Sequence, residues 1–420
     1  MRKASDCPRE FSHATQKPNV LLIIADDLRP TLGCYGDELA LTPSIDSLAR
    51  DGLLFTNAHA QQALCGPSRT SFLTSRRPDT IRIYENHCHY WRHTVGNFTT
   101  IPQYFKEHGY HTASVGKVFH PGPPTGRHLD YPYSWSVKPF TPKSLYFENK
   151  EVCPDPSGGP KANLLCAVNV STQPLQTLPD LENVEVATKF LSKWTSREGG
   201  NSPQMPFFLA VGFYKPHIPF RIPKEYLGWA LGEHQEYSKF SNFQVATNVP
   251  LVISPPRSQR SLSPAKVAER VDDPVALVDL FPTLASLASL PAPPRCRSSG
   301  YSSLSETTCT DGVNLANPVQ RKEVLHQYPR PSATPQLNSD QPVLGDIRIM
   351  GYSMVSRDYR YTEWIGFDAT NFRRNWTNVY ARELYNLNSD PREDSNVANS
   401  PKYKDLVIAL SSRLRELVEN

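Results

Sequence analysis

Along the chain, apolar residues recur first at strand spacing and then at helix spacing, and polar residues collect where one gives way to the other. In "NVLLIIADDLRP" a β-rich apolar run between Pro18 and Pro30 predicts a buried strand of a central parallel sheet, ending in Asp26 and Asp27. "LTPSIDSLARDG" predicts a short helix with Thr42 as N-cap, Pro43 at the first helical position and Gly52 as its stop. The pattern repeats in "TTIPQYFKEHGYHTASVGKVFH": Thr100 caps a helix with apolar Ile101, Tyr104 and Phe105, Gly109 ends it, and a strand leads to Lys117 and His120. Val184, Ala187, Leu191 and Trp194 keep to one face of a further helix. "PFFLAVGFYKPHIPF" then supplies another buried strand, Phe207 to Val211, with Lys215 and His217 beyond its end.

Strand, helix and strand in repetition predict a mostly parallel α/β sheet flanked by helices, whose ligands bind outside the carboxyl ends of the strands. Asp26, Asp27, Lys117, His120, Lys215 and His217 converge by that topology alone. From about residue 255 the character changes: proline- and serine-rich loops surround one helical stretch, "PVALVDLFPTLASLASL". "IRIMGYSMVSRDYRYTEWIGF" alternates as antiparallel strands do, and a helix closes the chain near 403–418. The expected organisation is therefore a tail over 1–18, a main domain over 19–254 and a smaller α+β subdomain over 255–420.

Length and composition fit this picture, since 420 residues with 39% hydrophobic content fill a sizeable core. The longest apolar run, "VLLIIA", is too short to cross a bilayer, and "MRKASDCPREFSHATQKP" has basic residues with no apolar stretch behind them, so neither a transmembrane segment nor a signal peptide is read from it. A formal charge of +4 without a block of like charges reads as a mixed, solvated surface, with no nucleic-acid partner. Sequons at Asn97, Asn169 and Asn375 become glycan acceptors if the chain enters the secretory route. Cys153 with Cys166, and Cys296 with Cys309, form two local pairs that suit short disulfide-closed loops. Cys7, Cys34, Cys65 and Cys88 have no evident partners.

Adjacent aspartates at a strand end are hard oxygen ligands suited to Ca²⁺ or Mg²⁺. Beside them, "CGPSR" at Cys65 to Arg69, followed by "TSFLTSR", resembles the signature of the type I sulfatases, C-x-P-S-R-x-x-x-L-T-G-R. "TPSIDSLA", "SVGKVFHPG", "FFLAVGFYKPHIPFRIPKE", "WALGEH" and "ELYNLNSDP" follow in the family's order over most of the chain. "DDLRP", "GKVFH" and "KPHIPF" look like the branch that removes the 2-O-sulfate of iduronate more than the arylsulfatase branch. The resemblance implies an alkaline-phosphatase/sulfatase-like fold and hydrolysis of sulfate esters in dermatan sulfate and heparan sulfate in lysosomes. It also implies Ca²⁺ as cofactor and a formylglycine made from Cys65 by the formylglycine-generating enzyme. Carried over, Asp26, Asp27 and Cys65 match the metal ligands, and Arg69 matches the residue that holds the modified side chain. Lys117 and His120 match groups that bind sulfate or steady the hydrate, His217 a proton donor to the ester oxygen, and Lys239 a sulfate-binding lysine.

The sequence departs from the family in two places. Tyr226 and Leu227 stand where a second metal-binding pair, Asp-His, is expected before "GWALGEH", so an internal segment is missing. Ser75 replaces the usual glycine after Leu73 and Thr74. The competing expectation is a shortened, inactive isoform that binds glycosaminoglycan or a partner without turnover.

Overall fold

A computed structural model describes residues 17–196, 205–223, 234, 239–256, 269–297, 305–316, 322–337 and 339–419. Strands β1 (Val20–Asp26), β3 (His111–Gly116) and β5 (Phe207–Pro216) make a parallel sheet in the order β1-β5-β3. A second sheet runs β7 (Asn248–Ile253), β2 (Leu53–His59), β8 (Glu269–Val271), with β9 (Val275–Ala276) also on β2. β2 is antiparallel to β7 and parallel to β8 and β9. A short parallel pair joins β4 (Leu165–Ala167) to β6 (Phe220–Ile222). The last sheet is an antiparallel meander of β10 (Val324–Arg330), β11 (Ile349–Val355), β12 (Tyr359–Asp368) and β13 (Arg373–Asn386).

The helices that matter to the site are α1 (Pro43–Arg50), α2 (Cys65–Thr74), α3 (Ile101–Glu107), α4 (Pro179–Thr195), α5 (Leu280–Leu287) and α6 (Lys404–Glu419). Pro43 opens α1 and Thr100 caps α3, its Oγ1 accepting the N–H of Gln103 at 3.2 Å. The cap at Thr42 works differently, because its hydroxyl accepts from Gly33 N and donates to Asp46.

β3 and β5 are packed on both faces of the parallel sheet. Phe55, Phe72, Phe105, Phe208 and Phe281 fill one side, while Ala113, Val115, Leu209 and Val211 meet Ala187 and Trp194 of α4 on the other. β9 and α5 contribute Val275, Leu280 and Ala285 to the first of these cores, so the chain returns to the main body after residue 255 before it builds the C-terminal sheet. That sheet has its own core, in which Met350, Tyr352 and Leu384 pack with Leu414 and Val418 of α6.

One expectation is corrected. β1 reads as a central strand buried on both faces, yet among the described residues it pairs with β5 alone, and Leu21 and Ile23 are 48% and 56% exposed. Its apolar run reports the core contacts of Val20, Leu22 and Ile24, and no second strand pairs with it among the described residues.

Both expected disulfides are present, Cys153–Cys166 and Cys296–Cys309. Cys34, Cys65 and Cys88 are free thiols, and Cys7 lies outside the described residues.

Candidate active site

Three strand ends and one helix start meet at Cys65. The thiol occupies the first position of α2, where unsatisfied N–H groups make the environment favourable to negative charge. Arg69 follows one turn later on the same face. β1 ends at Asp26, and Asp27 then adopts a left-handed backbone (φ 64°) that turns the chain out of the strand. β3 delivers Lys117 through Gly116 (φ 74°), where a Cβ would lie 2.2 Å from Gly212 O. A Cβ on Gly212 would reciprocally lie 2.0 Å from Lys117 O, so two glycines allow β3 and β5 to bring Lys117 against Asp26.

The polar contacts form a closed charge network. Arg69 Nη2 donates to Asp26 Oδ1 at 2.8 Å, and Lys117 Nζ forms an ion pair with Asp26 Oδ2. Lys239 Nζ pairs with Asp27 Oδ1 and lies 3.0 Å from Cys65 Sγ. Lys117 Nζ is 3.8 Å from the same sulfur, and Asp26 Oδ1 is 3.4 Å from it. His217 Nε2 lies 3.8 Å from Asp27 Oδ2. Its Nδ1 faces the carbonyl of Ile218, which fixes Nδ1 as the protonated nitrogen and aims Nε2 at the site.

Burial and charge oppose each other here. Burial pushes the Cys65 thiol up, but Lys117 and Lys239 outweigh it and hold the group well below an ordinary thiol. Asp26 behaves alike: burial raises it, and Arg69, Lys117 and Lys239 bring it well below the usual carboxylate range. For Asp27 burial wins over Lys239, and the carboxyl stays raised. Burial lowers His120, which a hydrogen bond to Cys65 partly offsets, and its Nδ1 is buried with no hydrogen-bond partner among the described residues.

Most of the expected constellation is therefore assembled: Asp26, Asp27, Cys65, Arg69, Lys117, His120, His217 and Lys239 surround one point. Arg69 clamps Asp26 to the carbonyls of Lys117 and Val118, the latter at 2.9 Å, beside the unmodified thiol of Cys65. Lys215 turns away, donating to the carbonyls of His217 and Pro219 at 3.0 and 2.6 Å, so it shapes the loop that carries His217. Burial lowers its ammonium to about 8. The residue that sequence reading missed is Asp180, whose carboxylate accepts the N–H groups of Tyr214 and Lys215 at 2.8 and 2.9 Å and anchors the end of β5. Its only signal was an acid just after Pro179 at a helix start.

Tyr226 and Leu227 lie outside the described residues. Ser75 sits at φ 55°, the left-handed conformation for which the family's glycine is suited. Its buried hydroxyl meets Val278 O and, at 2.6 Å, Thr310 Oγ1, which ties the end of α2 to the segments around α5. Asn97, Asn169 and Asn375 are all exposed. Beside Lys117 and His217 opens a cleft of about 290 Å³, also lined by Phe119, Tyr214, Lys215 and Arg221.

The chain belongs to the sulfatase family, whose model matches residues 18–230. It is 39% identical to iduronate 2-sulfatase of Mus musculus, in an alignment that covers 97% of this chain and 95% of that protein. With iduronate 2-sulfatase of Homo sapiens it shares 40% identity, covering 94% of each. The mouse alignment spans 536 positions against 420 residues here, so internal sequence present in the relative is missing from this chain. Among solved structures, the phosphonate monoester hydrolase of Agrobacterium radiobacter matches with a TM-score of 0.66 at 17% identity, covering 95% of each chain. A 2-O GAG sulfatase matches at TM-score 0.58 and 18% identity, covering 96% of this chain and 92% of that one. These two likenesses show the alkaline-phosphatase/sulfatase type of fold.

The family implies a formylglycine and a divalent metal. Cys65 fits the first: its sulfur marks where the oxygens of the modified side chain would lie, between two ammonium groups and at a helix start. The metal fits poorly. Among the described residues only Asp26, Cys65 and His217 bring donor atoms within 4.8 Å of one another. A hard dication takes about six to eight oxygens, and here Asp26 is engaged by Arg69 and Lys117 and Asp27 by Lys239.

Proposed function

We propose that the chain removes the 2-O-sulfate of iduronate in dermatan sulfate and heparan sulfate. The observation that carries this is Cys65 at the start of α2 with two lysines on its sulfur, in a chain about 40% identical to iduronate 2-sulfatases along nearly its whole length. When present, a hydrated formylglycine at position 65 supplies one hydroxyl for attack on sulfur and a second whose proton loss releases sulfate. Around it, Lys117 and Lys239 offer positive charge to the sulfate oxygens where charge grows in the transition state. His217, with Nδ1 donating to the Ile218 carbonyl, turns Nε2 to the site, and the ring gives a proton from Nε2 to the departing sugar oxygen when both of its nitrogens carry one. Arg69 keeps Asp26 and the backbone of Lys117 and Val118 in register. The cleft beside them takes the sugar.

Of the divalent cations, Ca²⁺ suits a pair of aspartates, but the described donor set does not complete its shell, and no step is routed through it. That shortfall favours a second reading, a product that binds sulfated glycosaminoglycan without turnover. The expected route is secretory, with Asn97, Asn169 and Asn375 as glycan acceptors, the formylglycine-generating enzyme acting on Cys65, and the lysosome as destination. The test is sulfate release, followed by ion chromatography, from heparan or dermatan oligosaccharides ending in 2-sulfated iduronate and from ones ending in 6-sulfated glucosamine. Release from the first alone supports the proposal. Release from the second alone refutes it, and binding of the first without release establishes the second reading.

A further inference from the structure

The two edges of the parallel sheet are finished differently. The outer edge of β3 is closed by the following segment: Ser136 N donates to Thr112 O, Phe140 N to Ser114 O and Gly116 N to Phe140 O, each at 2.9 Å. Among the described residues β1 has no such cover. Among the described residues its ladder contacts run to β5 only, from Val20 opposite Phe208 to Ala25 opposite Phe213. A long, apolar, open strand edge is a template for another strand, and proteins that keep one usually blunt it with charge, proline or a bulge. Within Val20–Ala25 there is none of these on the strand itself, since the irregularity falls only at Ala25/Asp26.

The face beside this edge is also apolar. Leu21 and Ile23 lie in register with Leu209 and Val211, which α4 covers, but stand beyond that cover themselves. α4 holds close to the end of β5 through Asn183, whose Nδ2 donates to Gly212 O at 3.3 Å, and Gly212 is level with Ile24. Near that point α4 carries Leu181 and Val184, also exposed.

We propose that β1 is a dimerisation edge, occupied by β1 of a second copy of this chain in antiparallel register. The strand complements itself. With Leu22 on the two-fold axis, Leu21 of one copy faces Ile23 of the other, and Val20 faces Ile24. The run from Pro18 to Ala25 carries no charge, so no like charges oppose each other within it. Asp27 leaves the strand at φ 64° and pairs with Lys239, so no acid of one copy is set opposite an acid of the other along the joined run. The result is a continuous six-stranded sheet, two strands deep to either side of the joined β1 pair, with the four exposed apolar side chains sharing one face. Because the contact uses the same edge on both copies, it closes and cannot propagate.

Light scattering after size exclusion of the full chain, at micromolar concentration, tests this. The expected mass is twice 47.3 kDa. Ile23→Lys and Leu21→Lys, each at a solvent-facing position, halve that mass while the far-ultraviolet circular dichroism of a folded chain is kept, whereas Ile408→Lys, an exposed site on α6, leaves the dimer intact. Hydrogen exchange provides an independent reading: the amides of residues 20–25 slow as the wild-type concentration rises and do not slow in Ile23→Lys. A wild-type monomer, a dimer that survives both lysine substitutions, or an open series of larger species overturns the proposal.

Discussion

At the scale of single residues, the site is a contest between burial and charge, decided by Lys117 and Lys239. Lys239 touches both Cys65 and Asp27, so its loss removes one of the two ammonium groups from the reacting position and the lysine partner of Asp27. Lys239→Ala is expected to lower sulfate release by about 100-fold or more, in the range for loss of one preorganised charge, with kcat affected more than KM. An unchanged kcat would assign Lys239 a purely structural role. The chemistry of these residues was legible in sequence because Cys65, Arg69, Asp26 and Asp27 sit in contiguous motifs. The direction in which Lys215 points was not, since only the fold of the loop decides whether an ammonium faces the cleft or its own backbone carbonyls.

At the scale of elements, helix and strand starts were read well where a cap or a glycine announced them. Thr100 is such a case, because its hydroxyl accepts the N–H of Gln103 and also meets Ser134 Oγ at 2.6 Å. Thr100→Ala is expected to destabilise the protein by about 1 kcal/mol, typical of a lost N-cap, measured as a lower urea midpoint with an unchanged slope. A shift near zero would mean that water replaces the cap. β1 shows the limit of such reading. An uninterrupted apolar run specifies a strand with at least one buried face, but the number of neighbours is set by sequence elsewhere, and among the described residues β1 has one.

At the scale of the whole molecule, the main body and the C-terminal sheet are joined through buried polar groups that no local pattern predicts. His59 of β2 stacks on His326 of β10 with ring centroids 5.9 Å apart, both fully enclosed. Burial, reinforced by Arg360, lowers His59 to about 3, and burial with His59 and Arg360 holds His326 well below its usual value. Both imidazoles are thus neutral in the folded chain, while the unfolded chain takes up protons below about pH 6.5. Their contribution to stability is complete above that pH and is lost as pH falls from 6.5 toward the depressed folded values. The unfolding free energy is expected to drop between pH 7 and pH 5 by about 1 kcal/mol per unit per histidine at most, and His326→Gln should flatten that slope. A slope that is the same in the variant would place the acid sensitivity elsewhere.

The central claim is that position 65 supplies the nucleophile for sulfate-ester hydrolysis. Its most direct measurement is sulfate release from a 2-sulfated iduronate oligosaccharide by the chain co-produced with the formylglycine-generating enzyme, set against Cys65→Ser prepared in the same way. Release by the wild type and only background from the variant is the predicted result; equal release from both, or none from either, would contradict it.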